Sequence, residues 1–270
     1  MYNDFYGFKQ APFNLTPDPR FLFMSDKHRE ALNHLLFGIV NHKGFIQLTG
    51  EVGSGKTTIC RQLLRQLDDR FKTALILNPC KSPWQMLKSI VKEFGVTHKR
   101  RDYDGYLNEL NEFLLDLAAR GDEALLIIDE SQNLSFELLE QIRMLSNLET
   151  DEHKLLQIVL IGQPELRDTL DDPRLVQLRQ RITVRYHLQP LTMRETDDYI
   201  QRRIHVAGGN GRPRFSPMAV RRIHRYSKGV PRLVNAVCDM TLLAGYVTNR
   251  DHFNSRLVRR AIRDLEGQAA

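Results

Sequence analysis

The stretch Gly50-Glu51-Val52-Gly53-Ser54-Gly55-Lys56-Thr57 constrains this chain more than any other, because it fits G-x-x-x-x-G-K-[ST]. It follows the apolar run 45–49, which reads as a buried strand. It precedes residues 58–67, where Ile59, Leu63, Leu64 and Leu67 have helical spacing. Strand, glycine loop and helix in that order make a phosphate cradle. The glycines let successive N–H groups turn inward, and the helix N-terminus adds partial positive charge at the same point. The nucleotide-binding candidates are therefore Gly50, Glu51, Val52, Gly53, Ser54, Gly55, Lys56, Thr57 and Thr58. Lys56 is expected to reach the β- and γ-phosphates, and the Thr57 hydroxyl to ligate Mg²⁺. The bland alternative is a Gly-rich turn that happens to precede Lys-Thr.

A second run, Ala124-Leu125-Leu126-Ile127-Ile128, ends in Asp129-Glu130. Continuous apolar character predicts a central parallel strand buried on both faces. In open α/β sheets ligands bind at the carboxyl ends of the strands, so both acids emerge where the glycine loop sits. This is the Walker B pattern. Asp129 is the Mg²⁺ candidate, directly or through water, and Glu130 the residue that orients the attacking water or acts as its base. Acids after a strand can also simply cap a helix. The run 155–161 predicts another buried strand, followed by Gly162-Gln163-Pro164. Gln163 either contacts the γ-phosphate or the water, or is only a turn residue before Pro164.

Strands are also expected at 73–78 and 182–188, with helices at 26–40, 83–94, 106–119 and 175–180. Five strands alternating with helices predict an α/β fold built on a parallel sheet. Past residue 191 the pattern changes: four helices are expected at 194–207, 217–226, 231–246 and 255–265, with no further strand. The expected organisation is an α/β nucleotide-binding domain over 1–190 and a helical lid over 191–270. Pro231 suits the first turn of a helix, and Arg232 beside it could reach back to the phosphates. The segment 1–40 is expected to cover the base, its start held extended and out of helix by Pro17 and Pro19.

Charge is uneven. The net charge is +6, yet residues 191–270 hold 15 Lys+Arg against 7 Asp+Glu, a balance of +8. A basic segment can bind nucleic acid or an anionic surface, or be a solvated helical face. No apolar run approaches the ~18–20 residues of a membrane span, and the start Met1-Tyr2-Asn3-Asp4 does not read as a signal peptide. Three scattered cysteines, Cys60, Cys80 and Cys238, suggest a reducing compartment, and a cytoplasmic location is expected. ATP is expected over GTP, because no Asn-Lys-x-Asp guanine reader is present. Residues 13–23 offer apolar and backbone contacts for adenine instead.

The glycine loop, Asp129-Glu130, a polar residue after the next strand, Arg179 and Arg181 before the last strand, and Gly229-Val230-Pro231-Arg232 together resemble an AAA+ ATPase. Tyr6-Gly7-Phe8, Pro12-Phe13-Asn14-Leu15-Thr16-Pro17-Asp18-Pro19-Arg20-Phe21, Ile128-Asp129-Glu130-Ser131-Gln132-Asn133-Leu134 and Ile161-Gly162-Gln163-Pro164-Glu165-Leu166 resemble, more narrowly, the general secretion pathway protein A (ExeA/GspA) ATPases. That resemblance implies ATP and Mg²⁺ as ligands, Gln163 as sensor 1 and Arg232 as sensor 2. It implies a role in inserting the outer-membrane secretin with a GspB-type partner, and a possible place as the cytoplasmic domain of an inner-membrane protein. Arg179 and Arg181 are expected at the domain rim. Either they act as arginine fingers in a neighbouring subunit of a homo-oligomer, or they pair with Asp168, Asp171 or Asp172. A DNA-binding AAA+ regulator and an ATP-gated oligomeric scaffold are the alternative functions.

Overall fold

The computed structural model describes residues 2–14, 19–79, 82–96, 102–149, 154–209 and 211–267. In chain order the elements are α1 (Tyr2–Tyr6), α2 (Asp26–Val40), β1 (Phe45–Gly50), α3 (Lys56–Gln66), β2 (Phe71–Ile76), α4 (Pro83–Glu93), α5 (Tyr103–Ala119) and β3 (Glu123–Ile128). Then come α6 (Phe136–Leu145), β4 (Leu156–Gly162), α7 (Glu165–Leu170), α8 (Val176–Arg181), β5 (Ile182–Leu188) and α9 (Met193–Val206). The chain closes with β6 (Arg214–Phe215), α10 (Pro217–Ser227), α11 (Pro231–Val247), β7 (His252–Phe253) and α12 (Ser255–Leu265). Two compact units result. One comprises residues 28–50 and 59–188; the other comprises 1–27, 51–58 and 189–270.

The first unit is the sheet unit. Its five strands are all parallel, in the order β2-β3-β4-β1-β5. The central strands β1 and β4 are buried at every residue, as expected for parallel strands covered on both faces. On one face Ala74, Leu126, Ile128, Ile158 and Leu160 pack against Met86, Leu87 and Ile90 of α4, Leu110 and Leu114 of α5, and Leu139 and Ile142 of α6. On the other, α2 comes so close at Gly38 that an added Cβ would lie 2.6 Å from the Ile46 side chain. Parallel register aligns Ile128 with Leu160, and Thr49 with Gly162. The carboxyl ends of β3, β4 and β1 therefore open at one edge of the sheet.

Helix starts follow local chemistry. Ser82 caps α4 by accepting the Gln85 N–H, with Pro83 in the first turn. Asp102 accepts the Gly105 N–H at 2.7 Å, so α5 begins at Tyr103, three residues before the expected start. Pairing with β3 places β2 at Phe71–Ile76, not at 73–78. Helices α6 and α7 were not anticipated from the sequence.

The second unit is helical. Tyr199, Ile200 and Ile204 of α9, Val220 and Ile223 of α10, Val234, Val237, Cys238 and Leu242 of α11, and Leu257 and Val258 of α12 form its core. A Thr192–Glu195 capping box opens α9, and Asn254 caps α12. Gly229 turns the chain into α11 with φ 79°, and an added Cβ would meet the Leu191 carbonyl oxygen at 2.0 Å, so only glycine fits there. The expectation of no strand past 191 is corrected. β6 and β7 form a two-residue parallel pair, extended by Arg214 N–H to Asp251 O and Ser216 N–H to Phe253 O, both 2.9 Å. The Phe215 and Phe253 rings meet edge-on at 4.9 Å beneath it.

The aromatic N-terminal segment belongs to this helical core. Tyr6, Phe8, Phe13 and Phe21 are buried in it. Arg203 of α9 ties the segment down: its guanidinium donates to Pro12 O at 2.6 Å, Asn14 O at 3.2 Å and Tyr199 Oη at 2.9 Å, and lies over the Phe21 ring. A buried guanidinium is tolerable when its donors are satisfied in this way. The expected extended start is replaced by the short helix α1 and a 3₁₀ turn at Pro19–Phe21; Pro17, Cys80 and the 99–101 basic linker lie outside the described residues. Among the described residues no helix is long and apolar enough to cross a membrane.

Candidate nucleotide site

β1 delivers Gly50 to the edge of the sheet, and α3 begins six residues later at Lys56. The loop needs its glycines: Gly53 has φ 78° and Gly55 φ 106°. Within the loop Ser54 N–H donates to Glu51 O at 3.1 Å, and Lys56 Nζ donates to the same carbonyl at 3.0 Å. Lys56 is only 6% exposed. Arg232, in the first turn of α11, lies against this loop. Its N–H donates to Gly53 O at 3.3 Å, and a Cβ on Gly53 would sit 2.4 Å from the Arg232 Cβ. The structure thus brings the predicted loop and the predicted lid arginine together within one unit.

In the sheet unit, Asp129 and Glu130 follow the last residue of β3. Asp129 is 3% exposed, and its Oδ1 accepts the Glu130 N–H at 2.9 Å. Burial pushes the Cys60 thiol up to about 12, and the Asp129 charge adds to that rise. Glu130 has φ 52° and ψ 35°, the left-handed region, which costs about 1–2 kcal/mol for a non-glycine residue. Its Oε2 is gripped by two amides: Gln132 Nε2 at 2.5 Å and Gln163 Nε2 at 3.2 Å. Gln132 Oε1 also accepts the Gln163 N–H at 3.0 Å. β4 lies between β3 and β1, so Gln163 emerges between the two motif strands.

Gln132 was not singled out from the sequence. Its only visible signal is a polar side chain two residues past Glu130, and its reach to both Glu130 and Gln163 depends on the left-handed turn at Glu130.

The two rim arginines are placed elsewhere. Ile182 pairs with Phe45 at the start of β1, whereas Gly50 ends it. Arg181 therefore stands one strand length, about 17 Å, from its own Gly50. Arg179 forms an ion pair with Asp171 at 3.5 Å, the partner foreseen in the bland reading. Arg181 donates to Ser146 Oγ at 2.7 Å. Neither joins Glu130 and Gln163.

The donor set fits the expected ligands. Mg²⁺ takes one or two protein oxygens and fills its octahedron with phosphate and water. The buried Asp129 offers such an ion one carboxylate, and no cage of three or more His, Cys, Asp or Glu exists among the described residues. The glycine loop offers N–H groups and the Lys56 ammonium to a phosphate chain.

Fold and site together define a P-loop module of the AAA type, and residues 40–170 match the AAA domain family. The chain is homologous to General secretion pathway protein A of Aeromonas hydrophila, with 46% identity over 250 residues, covering 91% of this chain and 45% of that relative. It thus spans about half the length of the curated relative it matches. Similar folds occur in Cdc6p from Pyrobaculum aerophilum (TM-score 0.70, 19% identity, 94% of this chain and 70% of that one). They occur also in the Aeropyrum pernix ORC2 protein, solved in ADPNP–ADP complexes (0.68, 18%, 97% and 73%). A RuvB mutant of Thermotoga maritima is a third (0.58, 17%, 93% and 74%).

Proposed function

We propose that this chain is an Mg²⁺-dependent ATPase module that works in assembling a secretion or related pilus apparatus, as an oligomer and with an inner-membrane partner of the GspB kind. The observation that carries the hydrolytic part is Glu130, held in a strained turn by the amides of Gln132 and Gln163. Strain at such a position is a mark of function when the surroundings enforce it. The secretion role is supported by the likeness to General secretion pathway protein A.

In this reading the N–H groups of residues 50–58 bind the phosphate chain. Lys56 contacts the β- and γ-phosphates, and Arg232, already against the loop, reaches the γ-phosphate. The Thr57 hydroxyl and the Asp129 carboxylate are the groups that would hold Mg²⁺, and the ion would supply positive charge against the charge that builds on the phosphoryl oxygens. Glu130 orients the attacking water or takes its proton, and Gln163 contacts the γ-phosphate or that water. Water adds to the γ-phosphorus, the bond to the β-γ bridging oxygen breaks, and ADP and phosphate leave. For the base, the buried rings of Phe13 and Phe21 are committed to the helical core, so the segment offers its backbone and the half-buried Leu22, Phe23 and Met24. The test is phosphate release from ATP with and without Mg²⁺. Release that needs Mg²⁺ and is lost in Lys56→Ala supports the reading; equal release in parent and variant refutes it.

A second reading, DNA binding, is favoured by one observation. Arg256, Arg259, Arg260 and Arg263 are exposed on α12, while Leu257, Val258 and Ala261 face the core. Duplex DNA affinity that falls steeply with salt would support it; no measurable binding at low salt would remove it.

A further inference from the structure

Tyr199 of α9 stands where three parts of the helical unit meet. Its ring takes the Phe23 ring edge-on, with centroids 5.6 Å apart and planes at 79°. Its hydroxyl accepts an N–H of Arg203 at 2.9 Å and donates to Asn235 Oδ1 at 2.9 Å. Tyr199 and Arg203 lie one turn apart on the same face of α9. Arg203 in turn holds the carbonyls of Pro12 and Asn14. Asn235 lies about one turn past Arg232 on α11, and the Arg232 N–H meets the glycine loop at Gly53 O, 3.3 Å away.

The three linked side chains are buried: Tyr199 is 6% exposed, Arg203 8% and Asn235 6%. Burial raises the Tyr199 phenol, so its O–H keeps its proton and stays a donor. Guanidinium, hydroxyl and amide oxygen in line polarise one another, which strengthens each bond where water is excluded. A phenylalanine ring in place of Tyr199 would keep the contact with Phe23 and break the chain at its middle. Such a chain couples its two ends when ordering one leaves less freedom to lose at the other. One end is the segment that offers Leu22, Phe23 and Met24 to the base in the ATPase reading. The other is the first turn of α11, which carries Arg232.

We propose that Tyr199 is a positioning residue: through Asn235 it makes the placement of Arg232 against the glycine loop depend on a base held by the N-terminal segment. The proposal rests on the ATPase reading and gives that site a means of telling a nucleotide from a bare phosphate chain.

Amide hydrogen exchange is followed in the parent and in Tyr199→Phe. Each is saturated, in Mg²⁺, with a non-hydrolysable ATP analogue or with inorganic tripolyphosphate, which has the three phosphates and no base. In the parent both ligands should slow exchange in residues 51–58. The analogue should slow residues 232–236 at least about fivefold more than tripolyphosphate does. In Tyr199→Phe that difference should fall below about twofold, while exchange in α12 stays parental. Asn235→Leu removes the acceptor from the other side and should have the same effect. Equal slowing of residues 232–236 by the two ligands in the parent would overturn the proposal and leave the ATPase reading in place. So would a difference that survives in either variant with parental α12 exchange. Residues 51–58 slowed by neither ligand would overturn both.

Discussion

Replacing Gln132 by leucine keeps the volume but deletes an amide that makes two bonds. One, from Nε2 to the Glu130 carboxylate at 2.5 Å, is charge-assisted and contributes about 1.5–3 kcal/mol. The other, accepted from the Gln163 N–H at 3.0 Å, contributes about 0.5–1.5 kcal/mol. Their sum is an upper bound, because Gln163 Nε2 still holds Glu130 and both residues are partly open to water. We therefore expect a loss of about 1.5–3 kcal/mol in the hydrolytic step, roughly 10- to 100-fold in kcat. Gln132 makes its bonds to Glu130 and Gln163, so nucleotide Kd should change by less than about threefold. The assay is steady-state phosphate release alongside fluorescence titration of a labelled nucleotide. Gln163→Leu and the double variant complete a cycle, and the two losses should be less than additive because both act through one carboxylate. A Gln132→Leu protein with parental kcat, or one whose Kd rises as much as its kcat falls, refutes the idea that this amide positions Glu130.

The Lys56→Ala protein mixed with the Arg179→Ala/Arg181→Ala protein should regain ATPase activity that neither has alone, because the arginines stand a strand length from their own Gly50; a mixture as inactive as its parts removes a finger acting in trans. Competition titration should show ATP bound more tightly than GTP, and equal affinities would contradict the base preference. Gly229→Ala should cost about 2 kcal/mol or more in urea unfolding, from its positive φ and the Leu191 carbonyl in its way; an unchanged midpoint would mean the turn relaxes freely.

Much of this architecture was legible because its signals are long or sharply patterned. Five apolar runs gave five strands, and the 182–188 strand was placed to the residue. The glycine loop and Asp129-Glu130 are read by motif, and Gly50 and Asp129 leave parallel strands at one edge of the sheet. Shorter signals were lost. The β6–β7 pair is two residues long, too short for any periodicity, and is held by the Phe215–Phe253 contact across 38 residues of sequence. Helix α7 has six residues and starts after Pro164, which read as a turn. Helix α6 does carry a signal, the Ser135 cap and the Leu138, Leu139, Ile142, Leu145 spacing. The N-terminal aromatics announced burial but not their partner, since hydrophobicity has no direction; Arg203 supplies it. Gln132 was invisible because its role arises from one residue's left-handed backbone.

The central claim is that Glu130 serves hydrolysis while residues 50–58 serve binding, and one comparison tests it. Glu130→Gln keeps the size and polarity of the side chain but removes its charge. Nucleotide affinity and ATP turnover are measured on the same preparation as the parent. The account predicts a Kd within about threefold of the parent and turnover lower by roughly 10²-fold or more. Turnover at the parental rate would contradict it.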